Sequence, residues 1–173
     1  PSSIKKIEAE AFYSCDKLAG IAIPSNVEEI GDKAFKNCVQ LANLSIQPGL
    51  KKIGNEAFRD CNALTQVDIP DTVLLMGTGV FQSCDNLGSA KLSFSLTSIN
   101  NTTFEGCYEL TNVIIPKSVE SIGNTAFWNV RSLQNVYYSG SEAEWNKISF
   151  GNNSKLTDGS VTIHYNYEYT PVV

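Results

Sequence analysis

The side chains of this 173-residue chain that could do chemistry are first of all its five cysteines. They stand 23 residues apart, at Cys15, Cys38, Cys61, Cys84 and Cys107. The sixth position of the same series is Val130. Equivalent residues of stacked repeats have parallel side chains about 4.8 Å apart, whereas a disulfide needs converging Cβ atoms about 3.8 Å apart. The valine also indicates a small apolar position. We therefore predict buried free thiols.

Other catalytic arrangements are not supported by the remaining residues. His164 is the only histidine, and no serine or cysteine nucleophile stands in a context that would complete a triad with it. Zinc needs clustered ligands, which one histidine and a row of parallel thiols do not supply. No lysine follows Gly77-Thr78-Gly79 as a phosphate loop requires. The sequence thus predicts no enzyme, no cofactor and no metal, and it places His164 on the solvated side of an alternating strand.

These cysteines are one column of a longer repeat. Six phenylalanines recur at the same 23-residue spacing without an insertion: Phe12, Phe35, Phe58, Phe81, Phe104 and Phe127. A fixed period of this length is typical of a solenoid, in which each repeat forms one coil and covers its neighbours. We therefore predict an internal stack of phenylalanine rings.

Within one repeat, two segments have recognisable periods. Phe, Cys and Leu follow one another at intervals of three, as in Phe12, Cys15 and Leu18, which predicts a short helical turn. The stretch from Leu18 to Pro24 alternates between inward and outward residues, which predicts a strand ended by proline. A column with Gly31, Gly54, Gly77 and Gly123 predicts a turn at positive φ, with Glu8 and Asn100 as exceptions.

Composition excludes several classes of partner. The chain has 13 basic and 18 acidic residues, a net charge of -5, and its basic residues are not concentrated in one segment. This argues against nucleic acid or anionic lipid as the main partner. No apolar run approaches the roughly 20 residues that span a bilayer, so membrane insertion is not expected. Because Pro1 already stands inside a repeat, we expect the chain to be a segment of a longer polypeptide.

The C-terminal part is predicted to close the array. Ser141 and Glu144 have the spacing of a helix-capping box, with Trp145 and Ile148 on one side of the helix that follows. Apolar and polar residues alternate from 161 to 167, which predicts a final strand over the last coil. The predicted organisation is a six-repeat solenoid over 1–140, a cap of the same domain over 141–168, and a tail or linker over 169–173.

The outward columns of the predicted sheet are the default place for a ligand in a solenoid. Ile114 and Tyr137 would supply the apolar and aromatic anchors that interfaces favour. The predicted binding residues on this face are Asp68, Lys91, Asn112, Ile114, Asn135 and Tyr137. The alternative is that these are ordinary solvated strand residues.

A second surface is predicted where two charged columns give way to leucine. Stacked coils place lysine beside glutamate beside lysine, in the columns Lys5, Glu28, Lys51 and Lys6, Glu29, Lys52. Such alternation fixes the register of the coils. In the next coil the same two columns hold Leu74 and Leu75, which we expect to be exposed and to form a second contact with another chain or domain.

Residues 30–50 and 53–73 carry the pattern AF-x-x-C-x-x-L-x-x-[ILV]-x-[IL]. This pattern resembles the BspA-type leucine-rich repeat of surface proteins from bacteria and some mucosal protists. The resemblance implies an α/β, right-handed solenoid with a parallel β-sheet on one face and short helical turns. It also implies adhesion to host proteins such as fibronectin and an extracellular or cell-surface location. No set of binding residues carries over from the family position by position.

Three functions remain open at this point. The first is a non-enzymatic recognition or adhesion module that binds a host or matrix protein along the sheet. The second is a structural spacer that displays another domain of a longer chain. The third is glycan binding by the aromatic side chains of Tyr137, Tyr138 and Trp145. The sequence does not fix the oligomeric state.

Overall fold

The chain folds into a parallel β-solenoid of about seven turns. The structure is a computed structural model and describes residues 3–152 and 154–170. We number coils 1 to 6 by their phenylalanines, from Phe12 to Phe127, and the C-terminal cap adds the seventh turn. Residues 171–173 of the predicted tail lie outside the described residues.

Each coil contributes two strands, one to each of two faces. The short-strand face is built from β1 (Lys6–Ile7), β3 (Glu29–Ile30), β5 (Lys52–Ile53), β7 (Leu75–Met76), β9 (Ser98–Ile99), β11 (Ser121–Ile122) and β13 (Ser149–Phe150). The long-strand face is built from β2 (Gly20–Ile23), β4 (Asn43–Ile46), β6 (Gln66–Asp68), β8 (Ser89–Lys91), β10 (Asn112–Ile115), β12 (Asn135–Tyr138) and β14 (Thr162–His164). The predicted alternating strand is the long one, and the short strands are an addition to the prediction.

All the strand pairs are parallel. The pairs between repeats follow the 23-residue period, as in Asn112 opposite Asn135 and Lys6 opposite Glu29, whereas the cap strands pair at a longer separation, as in Ser121 opposite Ser149. Each face is divided into two sheets. The long-strand face has a two-stranded sheet, β2-β4, and a five-stranded sheet, β14-β12-β10-β8-β6. The short-strand face is divided between β7 and β9. The stack is therefore regular, with one opening on each face.

The predicted helical turns of the repeats are wrong. Among the residues that the structure describes, helix is limited to α1 (Glu142–Trp145) and α2 (Ser154–Thr157), so the α/β description overstates the helix content. In coil 1 the N–H of Phe12 donates to the carbonyl of Ala34 in the next coil at 2.7 Å, while the N–H of Tyr13 closes a turn on Glu10. Glu10 has a φ of 59°, which a helix does not permit. The handedness of the solenoid stays a prediction.

The predicted ring stack is confirmed. Successive phenylalanine centroids lie 5.0 to 5.7 Å apart, and all rings but Phe12 are fully buried. The cysteines are free, as predicted, and those of coils 2 to 5 are buried. Each buried Sγ donates a hydrogen bond to a phenylalanine carbonyl of the preceding coil, such as Cys61 to Phe35 at 3.2 Å. The thiols thus link adjacent coils without any covalent bond.

The predicted positive φ of the glycine column is also wrong. Gly31, Gly54, Gly77 and Gly123 are absent from the residues with positive φ. Glycine is needed here because the coils approach too closely for a side chain. A Cβ on Gly54 would lie 2.5 Å from the backbone nitrogen of Asp32. The same sequence signature thus arises from a steric requirement instead of a turn.

Two polar features adjoin this glycine column, and sequence reasoning missed both. Side-chain oxygens of Asp32, Asn55, Asn101 and Asn124 each accept a backbone N–H of the next turn, at 2.8 to 3.0 Å. At Asn100, one of the two exceptions in the glycine column, the side-chain amide donates to the carbonyl of Met76 at 2.5 Å. This bond crosses the opening between β7 and β9, whose separation leaves room for the asparagine side chain.

The predicted capping box and the predicted final strand are both present. Ser141 and Glu144 form a complete capping box at the start of α1, and Trp145 and Ile148 are buried. β14 pairs with β12, which places His164 opposite Tyr137, and β13 pairs with β11. The cap therefore continues both faces by one strand.

The glycine column makes a testable prediction with a matched control. Gly54→Ala should destabilise the protein by about 1–3 kcal/mol, since the added Cβ meets the backbone of coil 2. Gly88→Ala should be tolerated, because the nearest atom to the Cβ position is the carbonyl oxygen of Thr65 at 3.5 Å, an ordinary van der Waals contact. Urea unfolding monitored by circular dichroism would measure both. Equal stabilities for the two variants would contradict the steric explanation.

The thiols make a second prediction. Burial raises the pKa of Cys38, Cys61 and Cys84, and it raises the pKa of Cys107 to about 12. Since the thiolate is the reactive form, a thiol reagent at pH 8 should label the partly exposed Cys15 alone in the folded protein and all five cysteines in denaturant. Cys15→Ser should remove the native reaction. Rapid labelling of a second thiol in this folded variant would contradict the prediction.

Candidate binding face

The long-strand face carries a groove of about 640 Å³. Five of the six predicted binding residues line it: Asp68, Lys91, Asn112, Ile114 and Tyr137. They come from β6, β8, β10 and β12, whose 23-residue register places their outward side chains in neighbouring columns. The sixth residue, Asn135, lies on β12 beside the groove. The columns are thus brought together as the repeat predicted.

Lys91 differs from the prediction because its side chain is not presented to solvent. It is 9% exposed, and its Nζ lies 2.9 Å from Asp68 Oδ1 and 3.4 Å from Asp71 Oδ1. The ammonium also donates to the carbonyl of Ile69 at 3.1 Å. A buried charge is tolerated only when it is paired and hydrogen-bonded, and the Lys91 ammonium has two carboxylate partners and a carbonyl acceptor. Lys91 therefore organises the groove from within.

The two asparagines of the face are joined to each other and to the cap. Asn135 Nδ2 donates to Asn112 Oδ1 at 3.0 Å. Asn135 Oδ1 lies 2.9 Å from Nε2 of His164, so His164 Nε2 carries the proton of that contact. His164 is exposed, as predicted. The amide chain aligns β10, β12 and β14 and leaves Asn112 at the groove.

Tyr137, the predicted aromatic anchor, is half-buried between two other rings. His164 stacks on it at 4.7 Å and 14°, and Tyr167 lies against it at 4.8 Å and 46°. Ile114, on the neighbouring strand, is also half-buried and contributes to the groove lining. Of the two predicted anchors, Tyr137 is therefore covered mainly by residues of the cap.

The segment of residues 165–170, here called the strap, crosses the face. It leaves β14 at Asn166, which has a φ of 56°, and is held by Tyr167 N, which donates to the carbonyl of Tyr138 at 3.0 Å. The sequence prediction of a tail or linker from residue 169 did not anticipate that Tyr169 would reach the groove. No part of the repeat pattern extends to it.

Tyr169 covers Lys91. Its ring centroid lies 5.1 Å from Lys91 Nζ and 6.3 Å from the ring of Phe94. Its hydroxyl donates to Asp68 Oδ2 at 3.3 Å. Burial and the nearby Asp68 carboxylate raise the pKa of Tyr169, so the hydroxyl stays protonated as the hydrogen bond requires.

Beyond Tyr169 the face opens between β4 and β6. A cavity of about 810 Å³ lies there, with Leu44, Ile46 and Pro48 on one side and Asp71 and Thr72 on the other. Lys91, Phe94 and Tyr169 also line it. The two cavities share Leu44, Asp68, Lys91 and Tyr169, so they form one continuous depression with the strap along it.

Two of the three aromatic residues of the glycan alternative are in the core. Tyr138 is 1% exposed and Trp145 is 6% exposed, and their rings pack edge to face at 5.1 Å. A sugar ring stacks on an accessible aromatic face, which neither residue offers. The predicted glycan site at Tyr137, Tyr138 and Trp145 is therefore wrong.

The second predicted contact lies on the short-strand face. Leu74 and Leu75 are 53% and 60% exposed, which agrees with the expected exposure. Leu75 belongs to β7, at the edge of the opening between β7 and β9. The preceding coils carry the predicted charge columns there, with Glu28 2.7 Å from Lys51 and Glu29 3.1 Å from Lys52.

The described parts of the chain hold neither a metal-binding cluster nor a membrane-spanning helix. No group of three or more His, Cys, Asp or Glu side chains is placed to hold a metal ion there. No described helix has the length and apolar character to cross a membrane.

The chain resembles solved structures of leucine-rich repeat proteins from bacteria. It is 27% identical to the T. pallidum leucine rich repeat protein over 77% of this chain and 75% of that one, with a TM-score of 0.58. It resembles a leucine-rich repeat protein from Eubacterium ventriosum with a TM-score of 0.72 at 19% identity, over 96% of this chain and 48% of that one. No curated protein matches the chain.

The model of the BspA type leucine rich repeat region matches residues 1–94 and 76–170, with six copies. Together these two matches span nearly all of the chain, including the cap. They agree with the six phenylalanine coils and with the parallel strands of both faces. The chain therefore belongs to the BspA type leucine rich repeat family.

Proposed function

We propose that this chain is a non-enzymatic protein-recognition or adhesion module of a bacterial cell-surface protein. It binds a host or matrix protein along the long-strand face, outside the cell. The observation that carries the proposal is the groove of about 640 Å³, lined by five residues that the repeat pattern selected for their outward positions. The resemblance to surface proteins that carry this repeat supports the surface location.

The chemistry of the groove fits a polypeptide. Gln66 and Asn112 offer amide groups, Asp68 offers a carboxylate, and Ile114 offers an apolar contact. Interfaces combine such polar groups with a few apolar or aromatic anchors. The net charge of -5 argues against a polyanionic partner such as nucleic acid.

A structural spacer is the rival proposal. It is favoured by the regular stack, which would hold neighbouring domains of a longer chain apart without a ligand. The two proposals differ in one measurable property, because a spacer binds neither matrix proteins nor glycans.

The recognition module makes a prediction for binding. On an array of host matrix proteins and glycans, the labelled chain should bind one or more of the proteins. Ile114→Ala should lower the affinity about tenfold or more, as expected for an interface anchor, and the double variant with Tyr137→Ala should abolish binding. Because Tyr137 packs on the cap, thermal melting must show that the double variant is folded.

Thr97→Ala is the matched control, since Thr97 is exposed and lies outside the groove. It should bind as the unmodified chain does. Absence of binding to every matrix protein would favour the spacer. Undiminished binding by Ile114→Ala would contradict the assignment of the partner to this face.

The leucine pair makes a separate prediction. If Leu74 and Leu75 contact another copy of the chain, changing both to serine should abolish self-association in sedimentation velocity. The melting temperature should stay unchanged, because both side chains are more than half exposed. Lys51→Ser with Lys52→Ser changes the same two columns of the preceding coil and serves as the control. An unchanged sedimentation profile for the leucine variant would contradict this contact.

A further inference from the structure

The strap lies where the proposed partner would bind. Tyr167 covers one side of Tyr137, and Tyr169 covers Lys91 and reaches Asp68. These three contacted residues are half of the six predicted binding residues. A segment of the chain itself thus already makes the contacts that an external polypeptide would make.

We infer that the strap is the resident occupant of a binding groove for an extended polypeptide with aromatic side chains at alternate positions. This inference rests on the proposed function and specifies its partner. An external segment of this kind binds by taking the place of the strap. The strap therefore lowers the apparent affinity of the module for its partner.

The requirement for alternate aromatic residues follows from the contacts of the strap. Tyr167 and Tyr169 are two residues apart, and their rings point to the same face, one against Tyr137 and one above Lys91. Glu168, between them, is exposed. An extended backbone directs alternate side chains to one side, so a segment with this period reproduces both contacts.

The second position selects an aromatic ring with a hydroxyl group. The Lys91 ammonium lies 5.1 Å from the Tyr169 centroid, within range of a cation–π contact. Asp68 Oδ2 accepts the hydroxyl at 3.3 Å. Phenylalanine would keep the first contact and lose the second, so tyrosine fits this position best.

The groove extends beyond the strap, which leaves room for a longer partner. The cavity of about 810 Å³ past Tyr169 is lined by Leu44, Ile46, Pro48 and Pro70. A partner that continued in the direction of the strap would place further side chains there. It would gain contacts that residues 165–170 do not make.

The test uses a labelled synthetic peptide with the sequence of residues 165–170. A tethered occupant competes at an effective concentration of about millimolar, so the unmodified chain should bind the peptide at least about tenfold more weakly than the variant Tyr167→Ala with Tyr169→Ala. Fluorescence polarisation measures both affinities, and circular dichroism confirms folding. A peptide of scrambled sequence should bind neither protein.

Tyr13→Ala is the matched control for loss of an exposed tyrosine, since Tyr13 is 48% exposed and lies away from this face. It should exclude the peptide as the unmodified chain does. If the double variant is unfolded, Tyr169→Ala repeats the test, because it keeps the Tyr167 contact with Tyr137. Tyr169→Phe should bind the peptide with an intermediate affinity.

A nuclear magnetic resonance measurement locates the peptide. The rings of Tyr169 and Phe94 should shift the ε-methylene signals of Lys91 upfield in the unmodified chain. Tyr169→Ala should reduce this shift, and added peptide should restore it.

Two results would overturn the inference. One is a folded double variant that fails to bind the peptide. The other is equal or tighter binding by the unmodified chain, which would make the strap a fixed wall of the groove. Both tests work without a host protein, so their failure is distinguishable from failure of the matrix-protein assay.

Discussion

Equivalent residues of adjacent coils must all pack at the same distance, which is set by the spacing between coils. The phenylalanine centroids are 5.0 to 5.7 Å apart, a little more than the usual spacing of paired strands. Where the backbones approach most closely, only glycine fits, as at Gly54. The buried thiols fit between coils and donate hydrogen bonds to phenylalanine carbonyls of the preceding coil. Each coil is therefore stabilised mainly by its two neighbours, as in other solenoids.

The surface features arise where this regularity is relaxed. Between β7 and β9, Asn100 replaces the glycine and the short-strand face opens beside Leu75. Between β4 and β6 the long-strand face opens, next to Pro48, which stands one residue later in its repeat than Pro24 and Pro70 stand in theirs. The two openings lie on different faces and at different junctions, so the ring stack continues past both. The core thus tolerates local openings that supply cavities and exposed leucines.

Features that depend on a fixed residue spacing could be predicted from the sequence. The prediction failed where the same spacing is compatible with two local structures. The ring stack, the lysine–glutamate pairs and the capping box of Ser141 and Glu144 were predictable because each depends on residues at fixed spacing. Apolar residues spaced three apart occur both in a helical turn and in the series of tight turns observed here. The strap was not predictable because Tyr169 and Asp68 are separated by 101 residues, a distance that no repeat specifies.

The charges below the strap determine how readily it can leave. Asp68 and Asp71 have side chains that are 61% and 60% exposed, whereas that of Lys91 is 10% exposed. Loss of Tyr169 would remove a cation–π contact and one hydrogen bond while leaving Lys91 paired with both carboxylates and with the carbonyl of Ile69. Because no buried charge would lose its partner, strap release avoids the large penalty of an unpaired ion. The pairing of Lys91 within the sheet therefore lets the strap be exchanged for another segment without unfolding the coil beneath it.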